Sequence, residues 1–124
     1  LLGDGSISIS DYPDEYNRSI LNISSMIENE PNRSLRETEK IYYMTVNLNL
    51  NSSEARSESD EFLKLYYGIN IWDERWGPWG SCTETVSRIK KYYEAGADTV
   101  IVRFASFDQE SNLDTFLSGV VPFL

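Results

Sequence analysis

The stretch that most constrains this chain is Gly80 to Ser106, GSCTETVSRIKKYYEAGADTVIVRFAS. Ser81, followed three residues later by Glu84, forms a capping box that starts a helix. Cys82, Val86, Ile89 and Tyr93 then recur at helical spacing and predict one apolar stripe. Lys90 and Lys91 fall in the last turns, where cations complement the helix dipole. Gly96 predicts the helix stop, and Ala97-Asp98 turns the chain. Thr99 to Phe104, TVIVRF, is largely β-branched, which predicts a strand covered on both faces, as in a parallel sheet. A helix, a short turn and a buried strand make the second half of a βαβ unit.

The rest of the chain repeats that alternation. Leu1-Leu2-Gly3-Asp4-Gly5 reads as the end of a strand running into a turn. Asp4 is there either a turn aspartate bonding its own backbone or a ligand-facing carboxylate. Pro13, with Asp14 and Glu15 behind it, starts a helix whose apolar face is Tyr16, Ile20, Ile23 and Ile27. That helix is expected to stop before Pro31. Ile41 to Leu50, IYYMTVNLNL, predicts a strand. Tyr42, Met44, Val46 and Leu48 form its apolar face, and Tyr43, Thr45, Asn47 and Asn49 its polar face. With helices on the apolar face, the polar face looks into the interior of a curved or closed sheet. Asn47 and Asn49 then lie near the strand's C-terminal end, where parallel α/β folds hold their ligands. The alternative for both amides is bonding to loop backbone.

Asn51 and Glu54 make a second capping box. Ala55, Phe62 and Tyr66 are expected on the buried face of that helix, and its acidic residues, Glu58 among them, on a solvated one. Gly68 ends it. Ile69 to Gly80, INIWDERWGPWG, is too irregular for a regular element and leads back to the helix start at Ser81. Trp72, Trp76 and Trp79 either pin this loop to the body or line a pocket mouth, with Trp79 the candidate at the mouth. On the late strand, Val100, Val102 and Phe104 are expected against helices, so Thr99, Ile101 and Arg103 face inward. A buried arginine needs a carboxylate or an anionic ligand, so Arg103 pairs with Asp4, with Asp108 or with a bound anion. Ser106 closes the polar end of this strand. Asp108 caps a final helix with a stripe of Leu113, Phe116, Leu117, Val120 and Leu124, and Pro122 marks its end.

Composition narrows the function. A net charge of −9 argues against a nucleic-acid partner, because it offers little to neutralise phosphates. No apolar run approaches the roughly 20 residues of a membrane span. A single cysteine fits a reducing compartment, so a cytoplasmic location is expected. Four Asn-x-Ser sequons, without a secretion signal, read as chance in an Asn- and Ser-rich chain. With no histidine, the commonest general base and metal ligand is missing, and no metal site is expected. The element order implies an α/β class with a parallel sheet. About two and a half β/α units are too few to close a TIM barrel, which takes about 250 residues. Residues 1–124 read as a piece of something longer; that the piece is C-terminal and the fold a partial TIM barrel is what the family resemblance below implies.

A set of motifs in order carries a family resemblance. Leu2-Gly3-Asp4-Gly5, the Tyr43-to-Leu48 strand, Tyr66-Tyr67-Gly68, Gly80-Ser81-x-x-Glu84-x-Val86, Glu94-Ala-Gly-Ala-Asp98, Arg103-Phe104-Ala105-Ser106 and Val121-Pro122 resemble the C-terminal third of the luciferase-like monooxygenases. Two positions depart from the pattern: Cys82 where the family usually has proline, and Ser6 where an aromatic commonly follows Gly-Asp-Gly. The resemblance implies a TIM barrel that binds FMN or a deazaflavin coenzyme at its C-terminal mouth and oxidises, or moves hydride with, a small organic substrate. It implies that Arg103 meets an anion of cofactor or substrate, that Asn47 lines the cavity, and that Trp76 to Gly80 border the mouth, with Ser106 and Asp4 as further binding candidates. Catalytic residues and most cofactor contacts would lie in the missing part of the barrel, so the chain alone is expected to be inactive. Its partner would be that remainder. The alternatives are a small non-catalytic binding half-barrel completed by dimerisation, and an unrelated structural α/β domain.

Overall fold

A computed structural model describes residues 4–9, 11–30, 38–70 and 75–124. The elements are β1 (Gly5–Ile9), α1 (Pro13–Glu28), β2 (Glu39–Val46), α2 (Ser52–Tyr67), α3 (Cys82–Glu94), β3 (Thr99–Phe104) and α4 (Gln109–Gly119), followed by a 3-10 turn at Val121–Phe123. The three strands form one parallel sheet in the order β1-β2-β3.

β1 was not among the expected strands. The predicted strand end at Leu1-Leu2 lies outside the described residues, and the strand that forms is Gly5–Ile9, starting where the turn was expected. β2 starts at Glu39 and ends at Val46, short of the expected Leu50. Beyond it the asparagines take over the backbone. Asn49 N–H donates to Asn47 Oδ1 at 3.0 Å, and Asn51 N–H to Asn49 Oδ1 at 2.9 Å. Asn51 Oδ1 then accepts from the backbone N–H groups of Ser53 and Glu54, which starts α2. Successive side-chain turns of this kind replace the ladder bonds a longer strand would need.

Helices α1, α3 and α4 cover one face of the sheet. Tyr42, Met44, Val46 and Leu48 from β2 meet Tyr16, Ile20, Ile89, Tyr92 and Val120 there, with Val100, Val102 and Phe104 packed alongside. The alternation read from β2 therefore placed the core. On α3, Cys82, Val86 and Ile89 of the expected stripe pack on the core, but Tyr93 is 45% exposed and its place is taken by Tyr92, with Thr85 buried beside them. In α4 only Phe116 and Val120 of the expected stripe join the core, whereas Leu113, Leu117 and Leu124 are exposed and Asn112 is buried.

The opposite face of the sheet carries no helix layer among the described residues. Register stacks its side chains in rows, Ile7–Ile41–Thr99, Ile9–Tyr43–Ile101, then Thr45–Arg103. Ile7, Ile9 and Ile101 on it are exposed, so β3 is not covered on both faces as expected. Helix α2 does not join the outer layer. It lies across the C-terminal ends of β2 and β3, where Ser59 Oγ donates to Ala105 O at 3.2 Å. Leu63 packs there with Trp76 and Ala105 in a second, smaller core, with Phe62 and Trp79 beside them. Its buried residues are Ala55, Ser59 and Leu63, and Tyr66 of the expected face is exposed. No helix of the described residues is long and apolar enough to cross a membrane.

Candidate functional site

Arg103 stands on the inner face, one row from the end of β3. Its Nη1 donates to the Tyr67 hydroxyl at 2.6 Å, and its Nη2 to Thr45 Oγ1 at 3.2 Å. The rings of Tyr43, Tyr66, Tyr67 and Trp76 surround the guanidinium at 5.1 to 5.6 Å. That distance permits cation–π attraction, which helps hold a half-buried cation. No carboxylate of the described residues bonds it, so neither Asp4 nor Asp108 is the expected salt-bridge partner. Asp108 caps α4 instead, accepting from Ser111 N–H at 3.0 Å. Arg103 Nε is buried without a hydrogen-bond partner among the described residues.

Asn47 and Ser106 also lie at the C-terminal ends of the strands, and one residue takes up both. Glu58, on α2, accepts from Asn47 Nδ2 at 2.6 Å, from Ser106 Oγ at 2.8 Å and from Phe107 N–H at 2.8 Å. Asn47 Nδ2 also donates to Ala105 O at 3.0 Å. Burial would raise the Glu58 carboxyl above its ordinary value. The bonds from Asn47, Phe107 and Ser106 outweigh it and hold the group below that value. Glu58 was expected on a solvated face; instead it ties the N-terminal half of α2 to the ends of β2 and β3. Its spacing to Asn47 is not periodic, and only the chain reversal at Asn49 and Asn51 brings the two together.

Beside this clamp lies an open cleft of about 600 Å³ between the starts of α2 and α4, lined by Asn49, Glu54, Glu58, Ser106, Asp108 and Asn112 among others. Its lining is largely polar, and its charges are all negative. Asn112 braces its floor, accepting from Leu48 N–H at 2.7 Å and donating to Asp108 O at 3.1 Å.

Trp79 is half-buried and pairs with Asn47 in an isolated parallel bridge, behind a cis Gly77–Pro78 peptide. Trp76 is buried beside Leu63. Both pin the loop to the body, and Trp72 lies outside the described residues. Asp4 is exposed at the N-terminal end of β1, where its carbonyl accepts from Glu39 N–H at 3.2 Å. Because β1 begins at Gly5, Asp4 sits at the opposite end of the parallel sheet from Asn47 and Ser106. The structure thus gathers Asn47, Ser106 and Trp79 at one end with Arg103 close by, and leaves Asp4 apart. No group of acidic or cysteine ligands that could hold a metal occurs among the described residues.

No protein-family model matches the sequence, and no curated protein matches it. Solved structures do. An F420-dependent secondary alcohol dehydrogenase in complex with an F420–acetone adduct superposes with a TM-score of 0.76 at 13% identity, over 98% of this chain and 43% of that one. The coenzyme F420-dependent tetrahydromethanopterin reductase from Methanopyrus kandleri gives a TM-score of 0.67 at 16% identity, over 98% of this chain and 45% of that one. The chain therefore spans less than half the length of either. At these identities the likeness is one of fold: this is an α/β chain whose three parallel strands and helices match part of the TIM-barrel fold of those enzymes.

Proposed function

We propose that the chain is the C-terminal part of a luciferase-like oxidoreductase barrel that works with a deazaflavin coenzyme on a small organic substrate. The observation that carries this is the superposition of nearly the whole chain on two enzymes described as F420-dependent. The same observation favours deazaflavin over FMN. A bound deazaflavin would supply hydride transfer, and the protein would hold the reactants and exclude water.

In this proposal Arg103 meets an anionic group of coenzyme or substrate. The residues present fit that role: a guanidinium on the inner face has two hydroxyl partners, no carboxylate partner among the described residues and a buried, unpartnered Nε. Asn47 and Ser106 act indirectly, since their donors are engaged by Glu58, and they keep α2 over the strand ends. Trp79 acts indirectly too, holding its loop against the strand ends through its bridge to Asn47 and its packing beside the second core. Catalytic groups come from the remainder of the barrel, and the chain alone is inactive.

The test is a fluorescence titration with the deazaflavin coenzyme and with FMN, on the 124-residue chain and on a longer protein that contains it. The expected result is binding of the deazaflavin by the longer protein only. Saturable binding by the chain alone would favour a self-sufficient binding half-barrel. Failure of both to bind would reject the proposal.

A further inference from the structure

We propose that Arg103 and Tyr67 form a receptor for the carboxylate of a small aromatic or unsaturated acid, held on the inner face of the sheet. The proposal uses the same placement of Arg103 as the proposed function but does not depend on which coenzyme the barrel takes.

The argument starts from donors and acceptors. A guanidinium has five N–H groups and no acceptor. Two of the five are given to the oxygens of Tyr67 and Thr45. Thr45 is buried and serves as an anchor beneath the guanidinium. Tyr67 is 46% exposed, and its oxygen accepts from Arg103 while its own proton has no acceptor among the described residues. Each terminal nitrogen of Arg103 keeps a second N–H. Guanidinium N–H groups and a phenolic O–H beside them, all donors with no anion supplied by the described residues, match the two oxygens of a carboxylate.

The surroundings select what carries that carboxylate. Beside the cation, Tyr66 is exposed and Tyr43 half-buried, Trp76 backs it from within the second core, and Ile101 is exposed two residues before it on the same face. Flat apolar walls favour a ligand whose body is planar or conjugated. They disfavour inorganic phosphate, a strongly hydrated dianion that wants several cations or backbone N–H groups. One arginine in a chain of net charge −9 offers neither. The position of Tyr67 is itself set by the fold: it is the last residue of α2, stopped by Gly68 at φ 79°.

The test is isothermal titration of the 124-residue chain with benzoate, acetate and inorganic phosphate. Thermal unfolding is followed on each variant to confirm that it is folded. Benzoate is expected to bind with a millimolar-range Kd and more tightly than acetate. Arg103→Lys keeps the charge but loses the planar fork, and should weaken benzoate about tenfold. Tyr67→Phe keeps the ring but removes the hydroxyl, and with it both the phenolic donor and the acceptor of the Arg103 Nη1 bond, and should weaken benzoate several-fold in a variant that remains folded. Three results would overturn the proposal: no benzoate binding by the wild-type chain, phosphate binding more tightly than benzoate, or binding unchanged in folded Arg103→Lys. None of these bears on coenzyme binding by a longer protein, so the two proposals fail separately.

Discussion

Glu58 collects three donors on one carboxylate, from Asn47 Nδ2, Ser106 Oγ and Phe107 N–H. In Glu58→Gln, one of the two oxygens becomes an NH₂ group facing donors. An N–H is then left without an acceptor, which costs about 1–3 kcal/mol. Denaturant unfolding at neutral pH should show that loss. The pH dependence follows from the sign of the shift. The folded carboxyl titrates below its ordinary value of 4.5. Its stabilisation is therefore complete above that value and lost as pH falls through the lower folded value. The stability gap between wild type and Glu58→Gln should narrow as pH falls below 4.5 and through the lower folded value. The Glu15–Arg75 and Lys40–Asp98 pairs also weaken in acid, but they are common to both proteins and cancel in the difference. A gap that persists unchanged into acid would mean the carboxylate's charge is not what holds α2.

At the scale of elements, the two glycines that flank α2 and the loop after it do different jobs. Gly68 closes α2 in the left-handed region at φ 79°, with open space where a Cβ would stand. Gly68→Ala should therefore cost only the backbone strain, about 1 kcal/mol. Gly80 has φ 105°, and a Cβ there would lie 2.9 Å from both Asn49 O and Ser52 Cα. Those neighbours are backbone and cannot swing aside, so Gly80→Ala should cost more than Gly68→Ala by at least about 1 kcal/mol in thermal or denaturant unfolding. The difference marks what was legible in the sequence. Capping residues and 3.6-residue spacing announced α2 and α3, and period-two alternation announced the core face of β2, because those signals are local. Ser6-Ile7-Ser8-Ile9 carries the same alternation for β1, but over only four residues and next to glycines that signal a turn. On α3 the spacing places Cys82, Val86 and Ile89 on the core but picks Tyr93 over Tyr92, because the two are adjacent and only the packing partner chooses between them. The position of α2 across the strand ends had no local signal. It arises from chain reversal at Asn49 and Asn51 and from contacts between residues tens of positions apart, Glu58 to Ser106 among them.

Among the described residues, one face of the sheet carries a helix-packed core and the other carries no such layer. Three parallel strands leave β1 and β3 as edges, and the rows Ile7–Ile41–Thr99 and Ile9–Tyr43–Ile101 have no layer over them among the described residues. In a TIM barrel such inward rows are filled by side chains from the other strands. A triple change Ile7→Thr, Ile9→Thr, Ile101→Thr separates the two ways this face can exist. In the 124-residue chain as a monomer these side chains are 61%, 45% and 40% exposed. Replacing them should shift unfolding by no more than about 0.5 kcal/mol per site and should lower the binding of a hydrophobic dye. In a longer protein with a closed barrel, the same three methyl-rich side chains would be interior, and each change should cost about 2 kcal/mol. A chain that closes the face by pairing with a second copy would give a third result. The triple variant would then shift the monomer–dimer equilibrium toward monomer in sedimentation, and its stability deficit relative to wild type would grow with protein concentration, because mass action stabilises the wild-type dimer. A net charge of −9 works against such self-pairing more strongly at low salt, so adding salt should favour the dimer if one forms. Indifference of the longer protein to all three substitutions would remove the inner face from any barrel interior. The assignment of Arg103 to an enclosed ligand site in that protein would then fail, because Arg103 shares its face with Ile101.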